Sequence, residues 1–436
     1  MSVEELYKLY RECGCSVTTD SRNCPPGSMF FALRGEKFDG NAYAASALDN
    51  GCSYAVVDNP SVAAGPGFIT VDNALAAMQS LARCHRLHLG TPVLGITGTN
   101  GKTTTKELIA AVLGKKFNLL ATKGNLNNAI GVPQTVLSLR DEHDFAVVEM
   151  GASHPGDIDE LVNVSCPDYG IITNVGRAHL QGFGSFEGVK KTKGELYGFL
   201  KKKENHKVFV LSDSADLMQM SAGMNRILYG RNEGIVTGRL SCSNTAYLEF
   251  EWESKEYGTG VHSVKTNLVG AYNLDNVLAA VAIGLHFGVP AADIDNAVLG
   301  YVPSNNRSQF FKTAANSLII DAYNANPTSM KASLANFSAL DLPHKMVILG
   351  AMRELGEYSV QEHVRVLHQL EGMNLEKVWL VGQEFDAVRD SASPSFRFFE
   401  NTACVIQELE KSALQGYSVL LKGSNSNNLA QLKDLL

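Results

Sequence analysis

Gly98-Thr99-Asn100-Gly101-Lys102-Thr103 is the stretch whose residue types most plainly imply chemistry. A glycine-rich turn presents backbone N–H groups and a helix N-terminus to an anion, and a lysine adds a mobile positive charge. Thr103 offers a hydroxyl where nucleotide-binding loops hold Mg²⁺, and Thr104 continues the run. Strict spacing of such a loop calls for glycine at position 96, where this chain has Ile96, so the loop is a tighter variant. A strand–turn–helix that merely needs flexible residues is the alternative. A Gly-Lys-Thr that opens a helix directly after a strand favours a nucleotide-phosphate site.

Other chemistry-bearing residues recur at strand ends. Glu149 follows the apolar run Phe145–Val148 and is expected as a second handle on Mg²⁺, against the alternative of a solvated glutamate. The 122–128 loop carries Asn127 and Asn128, whose amides offer donors and acceptors to a polar ligand or build an ordinary turn. His179 follows the run Tyr169–Thr173, where a neutral imidazole could bind metal or water, or only its own surroundings. Lys190, Lys191 and Lys193 share one helical turn, which normally means a solvated face, with one of them free to turn toward phosphate. Asn273 and Asn276 open a further helix as caps or as a grip on a base edge. Near the start, Ser21 and Arg22 form a polar turn, and the loop after Phe31 includes Gly35 and Asp39. Either could hold a ligand or face solvent.

These residues need elements to place them. Val93–Ile96 reads as a buried strand and Thr105–Leu113 as an amphipathic helix. Residues 1 to 88 alternate short strands (Met29–Leu33, Tyr54–Val57, Phe68–Val71) with polar turns and a helical stretch, Ala42–Asn50. His85–Thr91 reads as a linker, and residues 227–268 alternate in β fashion before the helical Gly270–Leu285. Gly300–Asn306 reads as a second linker, followed by apolar strands at Leu318–Ile320, Met346–Leu349, Val378–Val381 and Ser418–Leu421. The expected domains are 1–88, 89–303 and 304–436. The fold class is α/β, in which strands separated by helices form parallel sheets whose carboxyl-end loops line clefts.

Composition removes several classes. With 436 residues and 45% hydrophobic content, the chain can bury several cores. A net charge of −7 argues against nucleic acid as a partner. Eight cysteines lie scattered, and the close pair Cys13 and Cys15 has no second pair at zinc-ligand spacing, which fits a reducing cytosol. Residues 1–13 read as a surface helix without a secretory apolar region, and the longest apolar run, Val277–Leu285, is too short to span a bilayer. A soluble cytoplasmic protein without membrane insertion is expected.

Taken together, the segments TGTNGKTTT (97–105), TKGNLNN (122–128), VEMGAS (148–153), ITNVGRAHLQGFGS (172–185), KTKGEL (191–196), GAYNLDN (270–276), NNRS (305–308) and DAYNANPTSM (321–330) resemble the Mur ligases. These are ATP-dependent amide-forming enzymes that build the peptidoglycan stem peptide. DAYNANP and the GAMRELGE loop (350–357) are similar to the member that joins D-Ala-D-Ala to UDP-N-acetylmuramoyl-tripeptide. The resemblance implies a small N-terminal substrate domain, a central P-loop ATPase-like parallel sheet and a C-terminal Rossmann-like domain; a monomer is expected. It implies that Gly98 through Thr104, with Lys102 catalytic, hold the ATP phosphates. Thr103 and Glu149 would ligate one Mg²⁺, and His179 a second metal. Lys193 would be the lysine carbamylated in related ligases, with Lys190 and Lys191 favouring its anionic form. Asn273 and Asn276 would face adenine, and Arg307 and Asp321 the phosphate and ribose side. Ser21, Arg22, Gly35 and Asp39 would hold uridine diphosphate, Asn127 and Asn128 the muramoyl peptide, and Tyr323, Asn324 and Asn326 the incoming dipeptide. Ala351 stands where that member has Asp, and Asn425 where Arg commonly follows KGS. Other ATP-dependent ligases, a regulatory nucleotide-binding protein and a P-loop phosphotransferase are the competing readings.

Overall fold

The computed structural model describes residues 1–242, 245–303 and 307–436. Among these residues the strands gather into three main sheets and one short hairpin. The N-terminal sheet is parallel throughout, in the order Val17–Thr18, Met29–Phe31, Tyr54–Val57, Phe68–Thr70. The hairpin Arg34–Gly35 with Phe38–Asp39 projects from its carboxyl end.

The central sheet runs in space from Leu119–Ala121 through Phe145–Glu149, Val93–Thr97, Tyr169–Ile172, Lys207–Leu211 and Arg226–Gly230 to Val236–Cys242. These strands are parallel, and Tyr247–Glu253 and His262–Val269 extend the edge antiparallel. Val93–Thr97 is flanked by Phe145–Glu149 on one side and Tyr169–Ile172 on the other. All three are apolar because helices cover both faces. The loops after them therefore open at one end of the sheet, where ligands of such folds bind. The C-terminal sheet orders Gln309–Lys312, Ser317–Asp321, Ser418–Lys422, Lys345–Gly350, Lys377–Val381 and Arg397–Phe399, parallel except for its first pair.

One apolar core runs from Leu6 in the first helix to Val298 in the central domain, joining the N-terminal and central sheets. The two C-terminal cores draw on residues from Leu318 onward and meet the rest of the chain through Val269 and Tyr247.

Several expectations need correction. His85–Thr91 is mostly not a linker, because helix Ala74–Leu89 runs through it and ends at Gly90 in a left-handed cap. His85 and Arg86 look polar in sequence but are buried. The His85 ring lies 3.0 Å from the Leu139 carbonyl and 3.3 Å from the Tyr7 hydroxyl, while Arg86 pairs with Asp168. The helix expected from Thr105 begins at Lys102, since Gly101 takes the left-handed turn that starts it. The helical stretch Ala42–Asn50 divides into a 3₁₀ turn, Gly40–Tyr43, and helix Ala44–Asp49. Strands Arg397–Phe399 and Gln309–Lys312 were not anticipated, being short and half-exposed. Residues 304–306 of the second linker, and with them the start of the NNRS motif, lie outside the described residues.

Candidate active site

The phosphate-type loop is built by its neighbours. Thr99 N–H donates to the Asn174 carbonyl at 3.0 Å and Asn100 N–H to Asn174 Oδ1 at 2.9 Å. The Thr173 hydroxyl donates to the Asn100 carbonyl at 2.7 Å. Glycine is required at both turns of this loop. A Cβ on Gly98 would collide with Thr173 Oγ1, and one on Gly101 would lie 2.6 Å from Asn276 Oδ1, with φ positive at both residues. Lys102 folds back so that Nζ donates to the carbonyls of Gly98 (2.8 Å) and Thr99 (3.1 Å). Burial pushes its ammonium below the ordinary lysine range, partly offset by Glu149, while Arg307 adds to the depression. A cation already costly to bury and held only by carbonyl dipoles is ready to exchange them for an anion.

Glu149 is 1% exposed at the end of its strand. One carboxylate oxygen accepts from the Thr103 hydroxyl at 3.1 Å and from Asn127 Nδ2 at 2.8 Å. The other, Oε2, is buried and has no hydrogen-bond partner. An unpaired buried carboxylate oxygen costs several kcal/mol (roughly) unless a cation meets it. Beside a threonine hydroxyl, it is the hard oxygen pair that suits Mg²⁺.

His179 adopts a left-handed backbone (φ 49°), and its Nδ1 meets the Glu354 carboxylate, brought from the C-terminal domain. Burial depresses its pKa, against the opposing pull of Glu354. Lys193 is the one of its trio that turns inward. It is 2% exposed, with Nζ 3.5 Å from the Ala152 carbonyl and 5.4 Å from the Phe183 ring centre. Burial first, then the nearby Lys102 charge, pull its pKa down to about 7. Lys190 and Lys191 are not the charges that act on it: Lys190 pairs with Glu187 and Asp216, and Lys191 is exposed.

Asn273 and Asn276 are already engaged. Asn273 Nδ2 donates to the Val269 carbonyl at 2.9 Å, and Asn276 bridges Asn273 Oδ1 (2.9 Å) and the Thr105 hydroxyl (3.0 Å). Neither caps its helix through the side chain. Across the cleft, the Arg307 guanidinium stacks 3.5 Å from the centre of the Tyr323 ring and leaves its buried Nε without a partner. Asp321 pairs with the buried Lys422 at 2.6 Å. Asn326 caps helix Pro327–Ala339 by accepting from the Ser329 N–H, and its Nδ2 donates to Asn100 Oδ1 at 2.8 Å. Asn324 accepts from the Ala325 N–H, and Asn128 accepts from Ile130 and Gly131 N–H.

Lys102, Glu149, His179, Arg307, Asp321 and Tyr323 thus line one cavity of about 790 Å³ between the central and C-terminal domains. Asn127, Asn128, Asn273 and Asn276 reach it too, whereas Lys193 and Asn326 stand behind its wall. Ser21, Arg22, Gly35 and Asp39 belong to the N-terminal domain and do not line it. Arg22 is clasped by Asp20 at 2.8 Å and 2.9 Å, and Asp39 caps the 3₁₀ turn through the Asn41 N–H. Residues without an expected role also line the cavity: Glu354, Lys422, Arg231 and Asp275, the last two paired at 3.1 Å. Asp275 lies inside GAYNLDN, so proximity to the asparagines was its available signal. Arg231 had none.

Comparison with known proteins agrees across the chain. Residues 16–86 match the Mur ligase family catalytic domain, 96–284 the Mur ligase middle domain and 306–425 the Mur ligase glutamate ligase domain. The chain is similar to the UDP-N-acetylmuramoyl-tripeptide–D-alanyl-D-alanine ligase of Bacillus subtilis, with 33% identity, covering 96% of this chain and 93% of that one. It is 33% identical to the enzyme of the same name from Escherichia coli, over 94% and 91% of the two chains. Among solved structures, MurF from Acinetobacter baumannii superposes with a TM-score of 0.87 at 31% identity, covering 96% and 93% of the two chains. MurF ligase from Thermotoga maritima, solved in complex with ADP, gives 0.85 at 25% identity and 96% coverage of both.

Proposed function

Because the chain belongs to the Mur ligase family, we infer that it joins D-Ala-D-Ala to UDP-N-acetylmuramoyl-tripeptide at the expense of ATP. The product is the UDP-muramoyl-pentapeptide used in peptidoglycan synthesis. One observation carries this reading. The phosphate-type loop, the free oxygen of Glu149 and the Asp321–Tyr323 segment face one another across a single interdomain cleft.

The chemistry follows from what each residue can do. A carboxylate is a poor acyl donor, so the tripeptide's terminal carboxylate takes the γ-phosphoryl group of ATP and becomes an acyl phosphate, with ADP leaving. The dipeptide amine then attacks, and phosphate departs from the tetrahedral intermediate. The protein's contribution to phosphoryl transfer is positioning and electrostatics. The N–H groups of residues 98–104 cradle the phosphates, and Lys102 leaves its loop carbonyls to neutralise their charge. Thr103 and Glu149 would hold Mg²⁺, which when bound spreads the negative charge of the phosphates. Asn273 and Asn276 shape the adenine side, while Arg307 and Asp321, the latter steadied by Lys422, face the nucleotide. His179 and Lys193 lie on the acyl side of the loop. A Lys193 that is neutral near pH 7 can add to CO₂: its nitrogen forms the new C–N bond, one proton leaves, and a carbamate anion replaces the neutral amine. That anion is an oxygen donor of the kind a second divalent ion prefers.

The C-terminal domain docks through Asn326 on Asn100, through the Arg177 N–H on the Thr328 hydroxyl, and through the Gln181 N–H on the Glu354 carbonyl. Such docking keeps water from a hydrolysable acyl phosphate. Tyr323 and Asn324 would meet the dipeptide, Asn127 and Asn128 the muramoyl peptide, and the Ser21, Arg22, Gly35 and Asp39 region the uridine diphosphate. One chain supplies every group named, so a monomer suffices, and nucleotide-linked substrates place the reaction in the cytoplasm. No described helix is long and apolar enough to cross a membrane.

The test supplies purified protein with ATP and the matching UDP-muramoyl peptide, then offers D-Ala-D-Ala, D-alanine, L-lysine and diaminopimelate separately. Product mass should show the dipeptide adduct. Preference for a single amino acid would assign another member of the family.

A further inference from the structure

Outside the cleft lining, helices Val3–Glu12 and Ala74–Leu89 pack together and bring Glu4, Cys84 and His88 to one place. A carboxylate oxygen, a thiol sulfur and an imidazole nitrogen, one from each residue, all lie within 4.8 Å of one another. Cys84 and His88 stand four apart on one helix and so share a face. Cys84 Sγ is 3.7 Å from Glu4 Oε1, and His88 Nε2 is 3.9 Å from Glu4 Oε2. Ligand atoms around a tetrahedral zinc ion, at bonds of ~2.0–2.3 Å, stand roughly 3.3–3.8 Å apart. Small side-chain adjustments would close the set.

We propose that Glu4, Cys84 and His88 bind one zinc-class divalent cation, with the fourth position open to water. The histidine is already arranged for this. Its Nδ1–H donates to the Cys84 carbonyl at 2.8 Å, which leaves the lone pair on Nε2, the nitrogen that faces Glu4. Its ring stacks on Tyr7 with centres 4.4 Å apart, so the orientation is held. Metal-bound histidines characteristically give their second N–H to such a carbonyl. Sulfur with imidazole selects zinc or cobalt over the oxygen-seeking Mg²⁺ of the cleft. While no cation is bound, burial and the Glu4 charge keep the thiol protonated, with its pKa pushed up to about 11. Binding breaks the S–H bond, forms the metal–sulfur bond and sends one proton to solvent. The cation would fasten the first helix to the helix that leads into the phosphate-loop strand. Sequence spacing concealed the site because its ligands are a glutamate and a cysteine 80 positions apart, rather than paired cysteines.

The experiment uses full-length protein stripped with chelator and titrated with cobalt chloride. One equivalent should produce an intense near-ultraviolet sulfur-to-cobalt absorption, and zinc chloride should bleach it. The residues lining the cleft include no cysteine, so cobalt bound there cannot give that absorption. Cys84→Ser should abolish it. Glu4→Gln and His88→Gln change side chains 65% and 48% exposed, so both should fold and yet bind cobalt at least ~10-fold more weakly. Zinc should raise the melting temperature of the parent chain, raise that of the Glu4→Gln and His88→Gln variants less, and leave that of Cys84→Ser nearest to unchanged. Absence of the absorption, its persistence in Cys84→Ser, or full cobalt affinity in both surface variants would overturn the site.

Discussion

Lys193→Met is expected to abolish catalysis and, at the same time, to stabilise the fold. The unfolded chain holds the Lys193 proton up to about pH 10.5, whereas the folded chain releases it at about 7. Between those values the unfolded state binds more protons, so stability rises with pH there. The penalty is complete below pH ~7 and fades as pH climbs toward the free-lysine value. At ~1.4 kcal/mol for each pH unit, it amounts to about 4–5 kcal/mol near neutrality. Lys193 is buried, so solvent screening does not reduce it. Methionine fills the same volume without a titrating group, and a gain of up to ~4 kcal/mol corresponds to a melting shift on the order of 10 °C for a domain of this size. Melting the parent and the variant from pH 6 to 9.5 in CO₂-free buffer should show a gap widest at the acid end and below ~2 kcal/mol at the alkaline end. Added bicarbonate should then raise the parent's melting temperature and leave the variant's unchanged, since only the parent can form the carbamate. A variant no more stable than the parent at pH 7, or a gap that grows with pH, would refute this account of Lys193.

Lys102→Ala should leave the protein folded and lower turnover by at least ~10²-fold, the scale of one lost electrostatic stabiliser. Near-normal turnover would remove the 98–104 loop as the ATP site. Glu149→Gln replaces the unpaired oxygen and should raise the Mg²⁺ concentration for half-maximal activity by ~10-fold or more, and an unchanged Mg²⁺ requirement would reject Glu149 as a ligand. Asn326→Ala loses both a helix cap worth ~1 kcal/mol and the bond to Asn100. It should therefore lower the melting temperature of the C-terminal domain and raise KM for the dipeptide, and a change in stability alone would assign Asn326 to structure only.

Local chemistry was the legible part of this chain. The 98–103 turn follows a buried strand and opens a helix, so its geometry can be read from neighbours a few positions away, and Glu149 stands out because the run before it is wholly apolar. Pairings across long separations left no such trace. His179 meets Glu354 only after two domains fold and dock, and Lys422 meets Asp321 only once strands about a hundred positions apart pair in the C-terminal sheet. The same limit explains Lys193, which looked like one of a solvated trio until the packing of its helix turned it toward Lys102. His85–Thr91 misled for the opposite reason: polar residues suggested exposure, but a histidine and an arginine with internal partners sit at low cost inside a core.

The unbroken core from Leu6 to Val298 makes a three-domain enzyme mechanically two-piece. The N-terminal domain and the phosphate-type loop share that core, while Arg307 and Asp321 reach the same cleft from the C-terminal piece. The C-terminal piece meets the first through Val269 and Tyr247 and through polar contacts such as Asn326 on Asn100 and Arg177 on Thr328. Both halves of the reaction therefore need the two pieces held together, the hammer as much as the anvil.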